Sequence, residues 1–252
     1  MSKLRLTGLS AVIITKNAES TIQRSLKSLS RFSEVIVYDN GSSDNTINLV
    51  QQFTNTTLVK GGFFGFGPTK NYAAQLASND WILSLDADEV IEKDLFDAID
   101  DLTLENPKEM FMIKRDNYFM GKIVRHSGWG NDWLIRIYNR KFHQFENNPV
   151  HEKIKIQKDS IITKLNHSFS HYAVDDIRQF LEKINHYSDI RKETSDKLYP
   201  PYVILFKSAW AFFRTYFLRL GILDGWRGLV IAVSNANGVF YKYIKIYAKH
   251  NT

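Results

Sequence analysis

Residues Trp81 to Ile91 read WILSLDADEVI, an apolar run that ends in three carboxylates, Asp86, Asp88 and Glu89. Like charges this close repel, and a dry strand end would raise their pKa values, so the stretch calls for a cationic partner. Hard oxygen ligands suit Mg²⁺ or Mn²⁺, and Mg²⁺ typically takes one or two carboxylates together with substrate phosphates. Side chains alternate along a strand, so Asp86 and Asp88 are expected to point one way and Ala87 the other. The plain alternative is a solvated turn with a helix cap. Position at the fourth strand of a βαβ array favours the metal.

Two further residues invite chemistry. Asp39 closes EVIVYD and either caps the helix after NGSSDNT or accepts from a nucleobase N–H. The stretch GGFFGFGPTKN has glycines, but no G-x-G-x-x-G follows the first strand and no Walker lysine is present. Its glycines read as a flexible loop, and Lys70 as a cation able to meet a pyrophosphate.

These residues need elements to hold them. LSAVIIT, EVIVYD, TLVK and WILSLD read as four strands, TLVK a short one. Helices fall between them, marked by Ala18, Ile22, Leu26 and Leu29, by Ile47, Val50 and Phe53, and by PTKNYAAQLAS opened by Pro68. Such β-α-β repetition predicts an α/β protein with a mostly parallel sheet flanked by helices. Ligands bind beyond the carboxyl ends of such strands, where Thr15, Asn17, Asp39 and the Asp86–Glu89 group all fall. From Phe111 to Tyr172 short strands and loops are expected, and VDDIRQFLEKINHYSDIRKET has helical spacing. YPPY then precedes a helical tail. The expected division is a catalytic domain over 1–175, with a nucleotide-binding half (1–104) and an acceptor-side half (105–175), followed by a helical extension over 176–252.

The chain has 252 residues, a net charge of +6 and no cysteine. Lack of cysteine excludes disulfides, thiolate zinc sites and cysteine nucleophiles, and fits a reducing compartment. Near the N-terminus Lys16 and Asn17 interrupt the apolar run, so AVIIT reads as a strand and not as a signal peptide. From Leu198 onward seven basic residues face one acid, Asp224, so this tail carries the whole charge excess. Interleaved with aromatics, it suits either a helix lying in an anionic membrane interface or packing, on its own domain or in a homodimer. No apolar run is long enough to span a bilayer.

Taken in order, AVIITKNAES, EVIVYDNGSSDNT, PTKNYA and WILSLDADE resemble the family 2 glycosyltransferases of GT-A fold. NYFMGKIVRHSGWGND, RIYNR, PVHEKI and RTYFLRLGILDG narrow the resemblance to the lipopolysaccharide core glucosyltransferases. The resemblance covers nearly the whole chain. It implies that Thr15, Asn17, Glu19, Asp39 and Lys70 surround the nucleotide of a UDP-sugar, and that Asp86 and Asp88 handle ribose and metal-bound diphosphate. His171, after a later strand, stands where some GT-A enzymes supply a further metal ligand. The family often has Tyr-Pro where this chain has Gly130-Asn131, which bears on loop shape and acceptor choice.

Inverting displacement at an anomeric carbon needs a base for the acceptor hydroxyl, opposite the leaving diphosphate. Glu152 and Asp132 are the candidates, Glu152 first by its order after D-x-D. The expected reaction moves a hexose, glucose from UDP-glucose, to a lipopolysaccharide inner-core sugar. Its acceptor is a lipid-linked saccharide, and its place is the cytoplasmic face of the inner membrane of a Gram-negative bacterium. Two alternatives are weaker. A sugar-nucleotide nucleotidyltransferase would want a Gly- and Arg/Lys-rich loop where TKNAES stands. A basic membrane- or nucleic-acid-binding module leaves Asp39, Asp86 and Asp88 unexplained, and nucleic acid is not expected as a partner.

Overall fold

The computed structural model describes residues 6–147, 152–178, 180–182, 184–185 and 197–251. The chain forms two compact units, residues 1–115 with 132–171, and residues 116–131 with 172–252. Segment 116–131 groups with the tail in the second unit.

In the first unit β1 (Leu9–Thr15), β2 (Val35–Asp39), β3 (Thr56–Lys60) and β4 (Trp81–Asp86) alternate with α1 (Ile22–Ser28), α2 (Thr46–Val50) and α3 (Phe66–Gln75). They lie in the order β3-β2-β1-β4 and pair in parallel. β1, β2 and β4 are buried on both faces, which explains their unbroken apolar runs. Ala11 and Ile13 join the core on one face, with Leu26 of α1; Val12 joins the core on the other, with Ala73 of α3. Register sets Thr15 opposite Asp39 and Ile14 opposite Asp86, so the three strands end at one edge. Chain order reverses there, between β1 and β4, the place where open sheets bind ligands.

After β4 come β5 (Glu89–Val90), α4 (Lys93–Asp100), β6 (Glu109–Phe119), β7 (Lys122–Ile123), β8 (Trp133–Asn139) and β9 (Ile161–Val174). Beyond β4 the sheet continues β8-β6-β9-β5, with antiparallel pairing at β4–β8, β6–β8 and β5–β9. The expected α/β architecture with a helical C-terminal region is what the structure shows, with β1–β4 paired in parallel. Two local expectations change. The middle segment holds long strands, β6 of 11 residues and β9 of 14. Helix α3 starts at Phe66, with Pro68 still in its first turn, where a missing N–H costs nothing.

The second unit holds α5 (Pro201–Phe213), a π-helical turn (Arg214–Leu218), a short 3₁₀ turn (Gly221–Asp224) and α6 (Trp226–Asn251). No helix among the described residues is long and apolar enough to cross a membrane. Phe119, Val124, Val174 and Ile231 make its core. The segments RHSGWGN and RLGILDG meet within it. The Asp224 carboxylate accepts from the N–H groups of Arg125 and His126, and its Oδ1 lies 3.1 Å from His126 Nδ1. A side chain at Gly228 would run into the Gly221 carbonyl, so only glycine lets α6 approach that turn.

Candidate active site

The edge where β1, β2 and β4 end is built from two stitched loops. Asn17, in a left-handed conformation (φ 52°), donates its N–H to Ser42 Oγ at 2.8 Å and accepts from the Ser43 N–H at 2.8 Å. Glu19 accepts from the Asn45 N–H at 3.0 Å, and the Ala18 N–H donates to Thr46 Oγ1. Asp39 is buried and accepts from the N–H groups of Gly41 and Ser42 and from the Ser42 hydroxyl. Its carboxylate thus shapes the start of the β2–α2 loop and does not cap α2, which begins at Thr46. Thr15, just behind, keeps a buried hydroxyl with no hydrogen-bond partner.

The acidic segment finds cations, and they are the protein's own. Lys70 Nζ, buried on α3, lies 2.8 Å from Asp86 Oδ1 and 2.8 Å from Glu152 Oε1. Arg136, on β8, lies 3.0 Å from Asp86 Oδ2 and also contacts Glu89, which is fully buried. Arg115 reaches Glu89 at 3.3 Å and holds Asp132 Oδ2 through Nε and a terminal nitrogen, each at 2.8 Å. Burial alone would raise the Asp86 carboxyl, but Lys70 and Arg136 overcome it and hold it well below the usual carboxylate range. Burial also works against charge on Lys70, and Asp86 reverses that, leaving its pKa raised. Burial pushes the Glu89 carboxyl up, against the pull of Arg136.

Asp88 does not follow Asp86. The strand ends at Asp86, and residues 87–88 form a turn, so the alternation expected across D-x-D is lost. Helix α1 pins that turn, with Ser25 Oγ donating to the Ala87 carbonyl and Ser28 Oγ accepting from the Ile91 N–H. The chain re-enters the sheet at β5, where Glu89 pairs with His171. Asp88 Oδ2 consequently lies 3.4 Å from His171 Nε2. Two such donors can share one divalent cation. Among the described residues no group of three or more acidic or histidine side chains is placed to enclose a metal ion. A cation here would complete its shell from the diphosphate, as Mg²⁺ commonly does.

Sequence reasoning missed Arg136 and Arg115. The β6–β8 register pairs Phe111 with Ile137 and Met112 with Ile135, leaving Arg136 as the extra residue of a bulge. Bulges re-aim a side chain, and this one directs a guanidinium at two carboxylates. The signal available was an arginine inside the buried strand RIYNR, a position where charge is kept only with a partner. Of PVHEKI, residues Pro149, Val150 and His151 lie outside those described.

The profile of the family described as Glycosyl transferase family 2 matches residues 10–163, and the chain belongs to that family. It is 29% identical to an uncharacterized glycosyltransferase of Rickettsia felis over 94% of this chain and 89% of that protein. It is 26% identical to the lipopolysaccharide core biosynthesis glycosyltransferase LpsC of Rhizobium meliloti, over 96% and 93%. Among solved structures, Staphylococcus aureus TarS 1–349 in complex with UDP aligns with 97% of this chain and 91% of its own, at 16% identity and a TM-score of 0.45. The protein is a glycosyltransferase.

Proposed function

We propose that this glycosyltransferase transfers a hexose, glucose from UDP-glucose, to an inner-core sugar of lipopolysaccharide, by displacement with inversion. The observation that carries the reading is the convergence of Asp86, Lys70 and Glu152 at the sheet edge where β1 and β2 also end. The likeness to LpsC supports the acceptor class.

The donor nucleotide would lie over the loops stitched by Asn17, Glu19 and Asp39, with the Thr15 hydroxyl beneath them. Lys70 and Arg136 carry positive charge into the site, and Lys70 would stabilise the diphosphate as it leaves. Mg²⁺ or Mn²⁺, held by Asp88 and His171 with Asp86 nearby, would supply neutralising charge to that leaving group. Glu152 is the proposed base and takes the proton of the acceptor hydroxyl. Among the described residues it pairs with Lys70, whereas Arg115 places two N–H groups on one oxygen of Asp132, and this supports Glu152 over Asp132. A UDP-sugar and a lipid-linked saccharide meet at the cytoplasmic face of the inner membrane, and that is where the enzyme would act.

The test is release of UDP from a panel of UDP-sugars in the presence of purified inner-core acceptor. Acceptor-stimulated release with UDP-glucose is expected. Release with a different sugar alone would replace the donor, and no release with any would reject the reading.

A further inference from the structure

Helix α5 is turned inside out. Ile204 and Ala211 are its buried residues, and Thr215, in the π-helical turn beyond, continues the same stripe against α6. On the opposite side Tyr202, Leu205, Phe206, Trp210, Phe213 and Phe217 recur at helical spacing, and all are exposed, Tyr202 and Phe206 by more than 70%. The following turn adds Leu218, Leu220, Ile222, Leu223 and Trp226, again all exposed. Monomeric soluble proteins seldom leave so continuous an apolar surface open to water.

Charge decides what covers it. Lys207 and Arg214, seven residues apart and so on one line of the helix, border the aromatic stripe. Asp224, the one acid after Leu198, is spent inside the unit on the backbone of Arg125 and His126. Among the described residues after Leu198 no other side chain carries a carboxylate, so the segment's own sequence does not offset its cations. A second copy would bring the same cations to the same border, and the two would repel.

We propose that this face inserts into an anionic lipid surface, α5 lying flat along about 20 Å of the interface with its aromatics among the acyl chains and Lys207 and Arg214 on headgroup phosphates. This deepens the membrane placement given above and rests on the second unit alone, independent of the transfer chemistry.

Sedimentation of the full chain with vesicles tests it. Phosphatidylglycerol-containing vesicles should bind the protein and release it in high salt, and pure phosphatidylcholine should not bind it. Lys207→Gln with Arg214→Gln should weaken binding about thirtyfold, the scale of two interfacial charges. Phe206→Ser with Phe213→Ser should weaken it by about tenfold or more, and both sites are exposed, so the fold should be kept. UDP release with a delipidated, water-soluble acceptor should be unchanged in both variants, so a failure of the catalytic reading would show separately. Equal binding to neutral and anionic vesicles, or none to either, overturns the proposal. So does a dimer in solution that Phe206→Ser dissociates, which would make the face an interface between copies.

Discussion

Lys70 Nζ stands 2.8 Å from Glu152 Oε1 and at the same distance from Asp86 Oδ1. One buried ammonium thus joins the first acid of D-x-D, at the end of β4, to a carboxylate from the far part of the first unit. The cation that the acidic stretch requires is in place before any metal or donor arrives. In the proposed reading a diphosphate would compete with these two carboxylates for a lysine that is already charged.

For Glu152→Gln, kcat is expected to fall by about 10² while the donor KM changes little, the usual scale for loss of a general base. Steady-state kinetics beside Asp132→Asn decides the assignment. If Asp132→Asn is the variant that loses turnover, the base is Asp132.

Asp88→Ala should abolish activation by Mn²⁺ and leave the melting temperature within a degree or two, because Asp88 sits in a turn outside the core. Isothermal titration with Mn²⁺ and UDP gives a readout besides turnover. Wild-type Mn²⁺ affinity in this variant would remove Asp88 from the metal site.

Asp39→Ala has two expected consequences. It takes a charged acceptor away from the N–H groups of Gly41, which is exposed, and Ser42, which is half-buried, and so costs on the order of 1 kcal/mol of stability in urea unfolding. It also loosens the nucleotide loops, so donor KM should rise with kcat at saturation less affected. An unchanged KM with lowered stability would confine Asp39 to the loop.

Arg136→Met should be the most destabilising of the set, by about 3–5 kcal/mol, because it leaves Glu89 buried with its closest cation gone. Adding Glu89→Met should recover much of that loss, as an apolar pair replaces the ion pair. Failure of the double variant to recover would mean that Asp86, and not Glu89, is the group Arg136 chiefly supports.

Strands β1, β2 and β4 were legible because each is a short apolar run bounded by turn residues, and burial on both faces leaves that pattern little freedom. The places of Thr15, Asp39 and Asp86 at the strand ends followed from the same pattern, since parallel strands joined by helices end on one side. Where alternation alone was used, the chain did otherwise. Asp88 was expected to extend the strand, but α1 holds residues 87–88 in a turn, and that turn delivers Asp88 to His171. Arg136 enters the site through a bulge, a single unpaired residue whose existence depends on how β6 and β8 register. Lys70 was read as a diphosphate contact, and its pairing with Glu152 was invisible because the two are distant in sequence. Local periodicity is written residue by residue and can be read from one chain. Which charge neutralises which is settled only when separate segments pack together and water is excluded between them, and that was decided by the tertiary structure.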